Sequence, residues 1–149
     1  MDECGVNTCL QREYARATRG GQIKDVKRGS KFERVNVVGA RCNGKHYAVE
    51  CYKHSTDGGF FERWFANSLL TKIPKGCTVI MDNAQFHRKK LLRKLAGGKA
   101  LLLFLPPYSP DYNPIEKSWA NMKRHLRDNL QHYKFVSNAI YDYFNLSVT

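Results

Sequence analysis

The sequence predicts an α/β fold, a mixed sheet in which an antiparallel hairpin is followed by parallel strands, flanked by helices. Three observations carry this reading. Two β-rich runs flank Asn43 and Gly44, and Asn-Gly is the strongest short hairpin signal. Two apolar runs, residues 77–82 and 100–105, stand either side of a short basic segment of helical character, and strand, helix, strand in quick succession implies a parallel crossover. A hairpin first and alternating helix and strand afterwards point to helices on both faces of the sheet.

The elements follow in order. Residues 11–34 are polar and basic, punctuated by Gly20, Gly21 and Gly29, and read as turns around a short irregular strand. RVNVVGARC (34–42) and HYAVECY (46–52) form the hairpin. Phe60, Phe61, Trp64, Phe65 and Leu69 recur at helical spacing, with Thr56 or Asp57 as N-cap and Pro74 beyond the end. CTVIMD (77–82) reads as a buried strand, 87–95 as a basic helix and ALLLFL (100–105) as a second buried strand. A helix spans about 113–127, burying Ile115, Trp119, Met122 and Leu126, and an aromatic-rich one spans about 136–144.

The chain of 149 residues, 42% hydrophobic, has the size of one compact domain, and it shows no internal repeat or low-complexity tract. Residues 1–149 are read as that single domain, with 128–149 as its C-terminal helical extension. Lysine and arginine outnumber aspartate and glutamate 25 to 13, giving a formal charge of +12. This favours a polyanionic partner, with nucleic acid ahead of an anionic membrane. No run approaches the roughly 18 apolar residues of a membrane span, and no apolar signal region opens the chain, so a cytoplasmic, nucleoid-associated protein is expected. The five cysteines, Cys4, Cys9, Cys42, Cys51 and Cys77, are odd in number and lack a zinc-knuckle spacing. They read as reduced structural thiols, with a zinc site built on Cys4, Cys9 and a histidine as the alternative.

Two carboxylates stand out. Asp82 ends an apolar strand, and in sheets with parallel strands ligands gather at the carboxyl ends; Asp-Asn after a strand is also ordinary turn chemistry. Glu116 follows LPPYSPDYNPI, a loop stiffened by Pro106, Pro107, Pro110 and Pro114. With Asn113 as N-cap, Glu116 also occupies the glutamate position of a capping box, so structural and ligand roles both stand. His87 reads as a helix-start surface residue, or as a contact to phosphate or water at the same rim. Tyr108 and Tyr112 either stack on bases or pack on the protein, and Asp111 is a turn residue. Two basic clusters lie beside the acids: Arg88, Lys89, Lys90 and Arg93 in one, with Lys117, Lys123 and Arg124 in the other. No acidic residue intervenes between Arg88 and Lys99, and binding to DNA phosphates gives this one-signed run a reason. Phosphate-binding glycine loops are excluded, because neither G-x-G-x-x-G nor G-x-x-x-x-G-K occurs.

DECG at Asp2 to Gly5, MDNAQFH at Met81 to His87 and LPPYSPDYNPIEKSW at Leu105 to Trp119 together resemble the catalytic domain of DDE transposases, in the bacterial insertion-sequence branch of the mariner-like superfamily. The likeness runs from Asp2 to about Arg127. It implies a ribonuclease H-like fold shared with retroviral integrases, and a catalytic, metal-binding triad of Asp2, Asp82 and Glu116. It also implies two Mg2+ or Mn2+ ions and a reaction of DNA cleavage and strand transfer. In the family the first aspartate ends a central strand that a helix-turn-helix region precedes, whereas Asp2 here follows only Met1. The first strand is therefore expected to be largely missing and the domain N-terminally truncated. Partners implied are transposon-end and target DNA, with either a homodimer or an upstream-encoded part of the enzyme. The alternative function is a catalytically inactive, nucleic-acid-binding remnant, which would use only the basic clusters.

Overall fold

The computed structural model of the chain describes residues 1–7, 33–107 and 109–146. The irregular strand read within 11–34 lies almost wholly outside these residues, as do Cys9 and Tyr108. Among the described residues five strands and five α-helices follow in the order β1 (Asp2–Asn7), β2 (Arg34–Cys42), β3 (Lys45–Tyr52), α1 (Gly58–Trp64), α2 (Leu70–Lys72), β4 (Cys77–Met81), α3 (Lys89–Ala96), β5 (Ala100–Phe104), α4 (Ile115–Asn129) and α5 (Val136–Tyr143). A π-helical segment, Phe65–Leu69, joins α1 to α2.

The mixed sheet is realised as two ladders. One is antiparallel in the order β1-β2-β3, and the other is the parallel pair β4-β5, joined through α3. At their junction the Met1 nitrogen donates to Ile80 O at 2.8 Å. The expectation of a largely missing first strand is corrected here. Six residues of it pair with β2, from Asp2 opposite Gly39 to Asn7 opposite Arg34. Asp2 opens that strand instead of ending one, because the alternation of Asp2, Cys4 and Val6 against Glu3, Gly5 and Asn7 already suits a sheet with one buried face.

The hairpin forms as its turn chemistry dictates. Asn43 and Gly44 both have positive φ, at 48° and 79°, the backbone that a two-residue turn between twisted strands requires. The period-two alternation of β2 sends neighbouring residues to opposite cores, and its pairing with β3 shifts register between Val38 and Ala40. On one face Val35 and Val37 join Cys4 and Val6 beneath Trp119, Met122 and Leu126 of α4 and Ile140 of α5. On the other, Val38 and Ala40 join Phe61, Trp64, Phe65 and Leu69, together with Val79 and Met81 of β4 and Leu92 of α3.

Asp57 caps α1 by accepting from Phe60 N at 2.7 Å. The buried Trp64 indole donates to Ala48 O at 2.8 Å, which ties α1 to β3. Gly97, at φ 52°, ends α3 in the left-handed conformation and receives the chain for β5. The strand β5 differs from expectation in being buried on one face only. Ala100 is buried, while Leu101 and Leu103 are 69% and 51% exposed. The reason is that α4 and α5 pack over β1 and β2 and leave the outer side of β5 bare among the described residues.

At Gly39 the Trp119 side chain of α4 comes close against the sheet. A Cβ there would lie 3.2 Å from Val49 Cγ2 and 3.3 Å from Trp119 Cη2. Gly39→Ala is therefore expected to lower stability by about 1–3 kcal/mol through overpacking, measured by urea unfolding.

Candidate active site

Three acids from distant parts of the chain line one cavity of about 580 Å³, together with Asn83, Gln85, Pro106, Pro107, Ser109 and Asn113. Asp2 is the first residue of β1, Asp82 follows the last residue of β4, and Glu116 stands in the first turn of α4. The sequence-based triad is thus brought to one place, although Glu116 lies 34 positions beyond Asp82 and Asp2 lies at the other end of the chain.

Each acid is held differently. Asp2 is buried, and its Oδ2 accepts from the Trp119 indole at 3.1 Å. Burial first, then the negative charges of Glu116, Glu3 and Asp82, push its carboxyl up to about 7, against a smaller opposing effect from the Glu3 backbone N–H. Asp82 is half-buried, and its Oδ1 accepts from Ala84 N at 3.2 Å, so the turn chemistry read from Asp-Asn is present. The hydrogen bond from His87 holds its carboxyl below the usual range, outweighing partial burial. Glu116 is exposed.

The capping box is not formed. Pro114 occupies the N-cap position, no side chain caps α4, and the buried Asn113 instead donates from Nδ2 to Met1 O at 3.2 Å. That bond fastens the end of the proline loop to the start of β1, which carries Glu116 toward Asp2. Helix-terminal statistics pointed Asn113 at its own helix; a strand end beside it provides a buried carbonyl that needs a donor. Tyr112 is 70% exposed, so of its two sequence-based roles packing on the protein is not the one adopted. Asp111 lies in a short 3-10 turn, exposed as expected.

The sequence reading misses Glu3 and the burial of His87. Of the two readings of His87, a surface helix start or a contact at the rim beside Asp82, the surface one is corrected: the residue is buried, with its ring 4.2 Å from that of Phe61 and 4.5 Å from that of Phe86. Its Nδ1 lies 3.2 Å from Asp82 Oδ1 and its Nε2 lies 3.5 Å from Glu3 Oε1. Burial opposes charging of the ring, but the two carboxylates outweigh it and hold the imidazole protonated up to about 9. Glu3, Asp82 and His87 also offer one ligand-type atom each within 4.8 Å of one another. In its doubly protonated form the imidazole keeps no lone pair for a cation, and the trio is then a relay of two ion pairs, with Nδ1 also 3.4 Å from Asp82 O. The available sequence signal was Glu3 itself, an acid beside Asp2 in a strand and therefore on its opposite face.

The basic residues divide. Arg88 forms a two-pronged ion pair with the buried Glu62 of α1. Lys89 and Arg93 lie over the Phe104 ring, 5.1 and 5.4 Å from its centre. Lys123 sits beside the Cys4 thiol, which burial nonetheless pushes up. Lys90, Lys117 and Arg124 are exposed.

An antiparallel three-stranded ladder beside a parallel pair, flanked by helices and with acids gathered at the strand ends, is a ribonuclease H-like fold. Residues 1–137 match the DDE superfamily endonuclease family, and the chain belongs to it. Among solved structures it resembles the Mos1 transposase paired-end complex with left transposon end, at a TM-score of 0.63 and 17% identity over 84% of this chain and 41% of that one. It is similarly close to the Mos1 strand transfer complex, at 0.63 and 16% identity over 97% of this chain and 44% of that one. The chain thus spans less than half the length of these structural relatives. No curated protein sequence matches it significantly. Among the described residues no helix is long and apolar enough to cross a membrane.

Proposed function

We propose that the chain is the catalytic domain of a DNA transposase, which cleaves DNA phosphodiesters and joins strands with divalent metal bound by Asp2, Asp82 and Glu116. The observation that carries this is the convergence of these three acids on one cavity. The donor set fits a hard divalent cation such as Mg2+ or Mn2+, because all three side chains offer oxygen and the neighbouring charges already make ionised Asp2 costly. Such ions, when bound, polarise the phosphate and acidify an attacking water or 3′ hydroxyl.

The chain's own residues supply positioning. Trp119 fixes the Asp2 carboxylate, the Ala84 backbone fixes one oxygen of Asp82, and the proline loop with Asn113 sets the start of α4. Lys90, Lys117 and Arg124 are the exposed cations available for the DNA backbone, with Arg88, Lys89, Arg93 and Lys123 adding charge from positions also used within the protein. No side chain needs to act as a nucleophile. Transposon ends and target are the substrates in this reading, and a second copy or a separately encoded part of the enzyme is the protein partner.

The test is incubation of the purified chain with Mn2+ and labelled duplex carrying the ends that flank its own coding sequence. Nicking or joining is expected, and Glu116→Ala should lower its rate on the order of 10²–10³-fold or more while leaving the melting curve intact. Activity untouched by this substitution overturns the proposal. Salt-sensitive DNA binding with no turnover in any metal would instead support the inactive, nucleic-acid-binding reading.

A further inference from the structure

We propose that His87 is a positioning residue for Asp82, oriented from behind by Glu3, so that the relay Glu3–His87–Asp82 sets how the strand carrying Asp2 and the strand carrying Asp82 present their acids. The inference rests on the metal-binding reading given above.

The geometry supplies four supports. First, the imidazole bridges two carboxylates through opposite nitrogens, 3.2 Å to Asp82 Oδ1 and 3.5 Å to Glu3 Oε1. Second, His87 Nε2 and Glu3 Oε1 are both fully buried without a hydrogen-bond partner among the described residues, so their 3.5 Å ion-pair contact is the polar interaction open to each. Third, the bridge crosses from β1 to the end of β4, which belong to different ladders and are not held together by strand pairing. Fourth, the turn carrying His87 is clamped to α1. Arg88 pairs with Glu62, the Phe61 ring lies against the imidazole at a 37° tilt, and Gly58 approaches so closely that a Cβ there would lie 3.0 Å from Phe86 O.

The consequence falls on Asp82. Its Oδ1 faces both the Ala84 amide and the imidazole, which leaves Oδ2 to meet a cation from the cavity. Partners of ligating groups of this kind fix ligand orientation, and their loss weakens metal binding about 10–100-fold. Arg88 and Phe61 act one step further out, by holding His87.

The experiment is calorimetric titration of MnCl2 into the purified chain, with melting curves run on every variant. His87→Phe, which keeps the ring packing and removes both donors, is expected to weaken Mn2+ binding about 10–100-fold. The direction discriminates, because deleting a cationic group near the site would by itself favour a divalent cation. Glu3→Leu should weaken binding in the same sense, while Glu3→Gln, which retains an acceptor for Nε2, should restore it. A folded His87→Phe protein that binds Mn2+ as well as or better than the parent overturns the inference. If His87→Phe does not fold, the Glu3 pair decides, and equal affinities for Glu3→Leu and Glu3→Gln overturn it. A parent chain that binds no Mn2+ removes the metal-site reading itself, which separates the two failures.

Discussion

Trp119→Ala is expected to cost about 3–5 kcal/mol, enough to leave the domain largely unfolded if its total stability is near the low end of the usual 5–15 kcal/mol. Trp119 is fully buried on the sheet beneath α4, edge-on to Phe144, with rings 6.1 Å apart. It also fills the space that the missing Gly39 side chain leaves. The same indole donates to Asp2, so its removal also leaves a buried carboxylate without that donor. Trp119→Phe separates these effects. It retains most of the apolar contact and loses the hydrogen bond, and a cost of about 1–3 kcal/mol is expected, measured by urea unfolding. If Trp119→Phe is as damaging as Trp119→Ala, packing by the indole's second ring outweighs the bond to Asp2.

Without divalent cation at pH 8, Asp2→Asn is expected to stabilise the domain, on the order of 1–3 kcal/mol or about 2–8 °C in Tm. In the unfolded chain this carboxyl titrates near 3.8, whereas in the fold burial and neighbouring acids push it up to about 7. Between these values the unfolded state has lost the proton and the folded state still holds it. Stability from this group therefore falls as pH rises from about 4 to about 7, and the whole cost is present above that. Asparagine removes the cost and still offers an oxygen to Trp119, so the variant and parent should converge near pH 4. His87 adds a trend of the same sign in both proteins. Its contribution is complete below about 6.5 and is lost as pH rises through about 9, so the difference between variant and parent isolates Asp2. Adding Mn2+ should reverse the order at pH 8, stabilising the parent and not the variant. Melting curves at pH 4 and 8, with and without Mn2+, check this, and a parent more stable than the variant in metal-free buffer at pH 8 would contradict it.

Much of this arrangement was legible along the chain because its signals are local. Asn43-Gly44 determined the hairpin, the apolar runs in 77–82 and 100–105 determined two strands with a helix between, and the stripe Ile115, Trp119, Met122 and Leu126 determined the buried face of α4. The three quoted motifs led to the family. Turn conformation and helical periodicity depend on neighbours a few residues apart, so a linear reading reaches them.

Other features were settled only by what packing brought alongside. His87 and Asn113 carried the marks of a surface group and a helix cap, and both became buried ties between distant segments. Arg88 belonged to a run of cations until α1 presented Glu62 to it, and β5 kept two leucines exposed because no described helix covers them. The sequence by itself determined the family and the strands and helices from the hairpin onward, and it nominated the three acids. The tertiary structure decided that Glu3 and His87 stand behind Asp82 and that Trp119 and Asn113 secure the Asp2 end. The cause is physical: a buried polar atom must find a partner, and the partner available is set by the fold's long-range contacts.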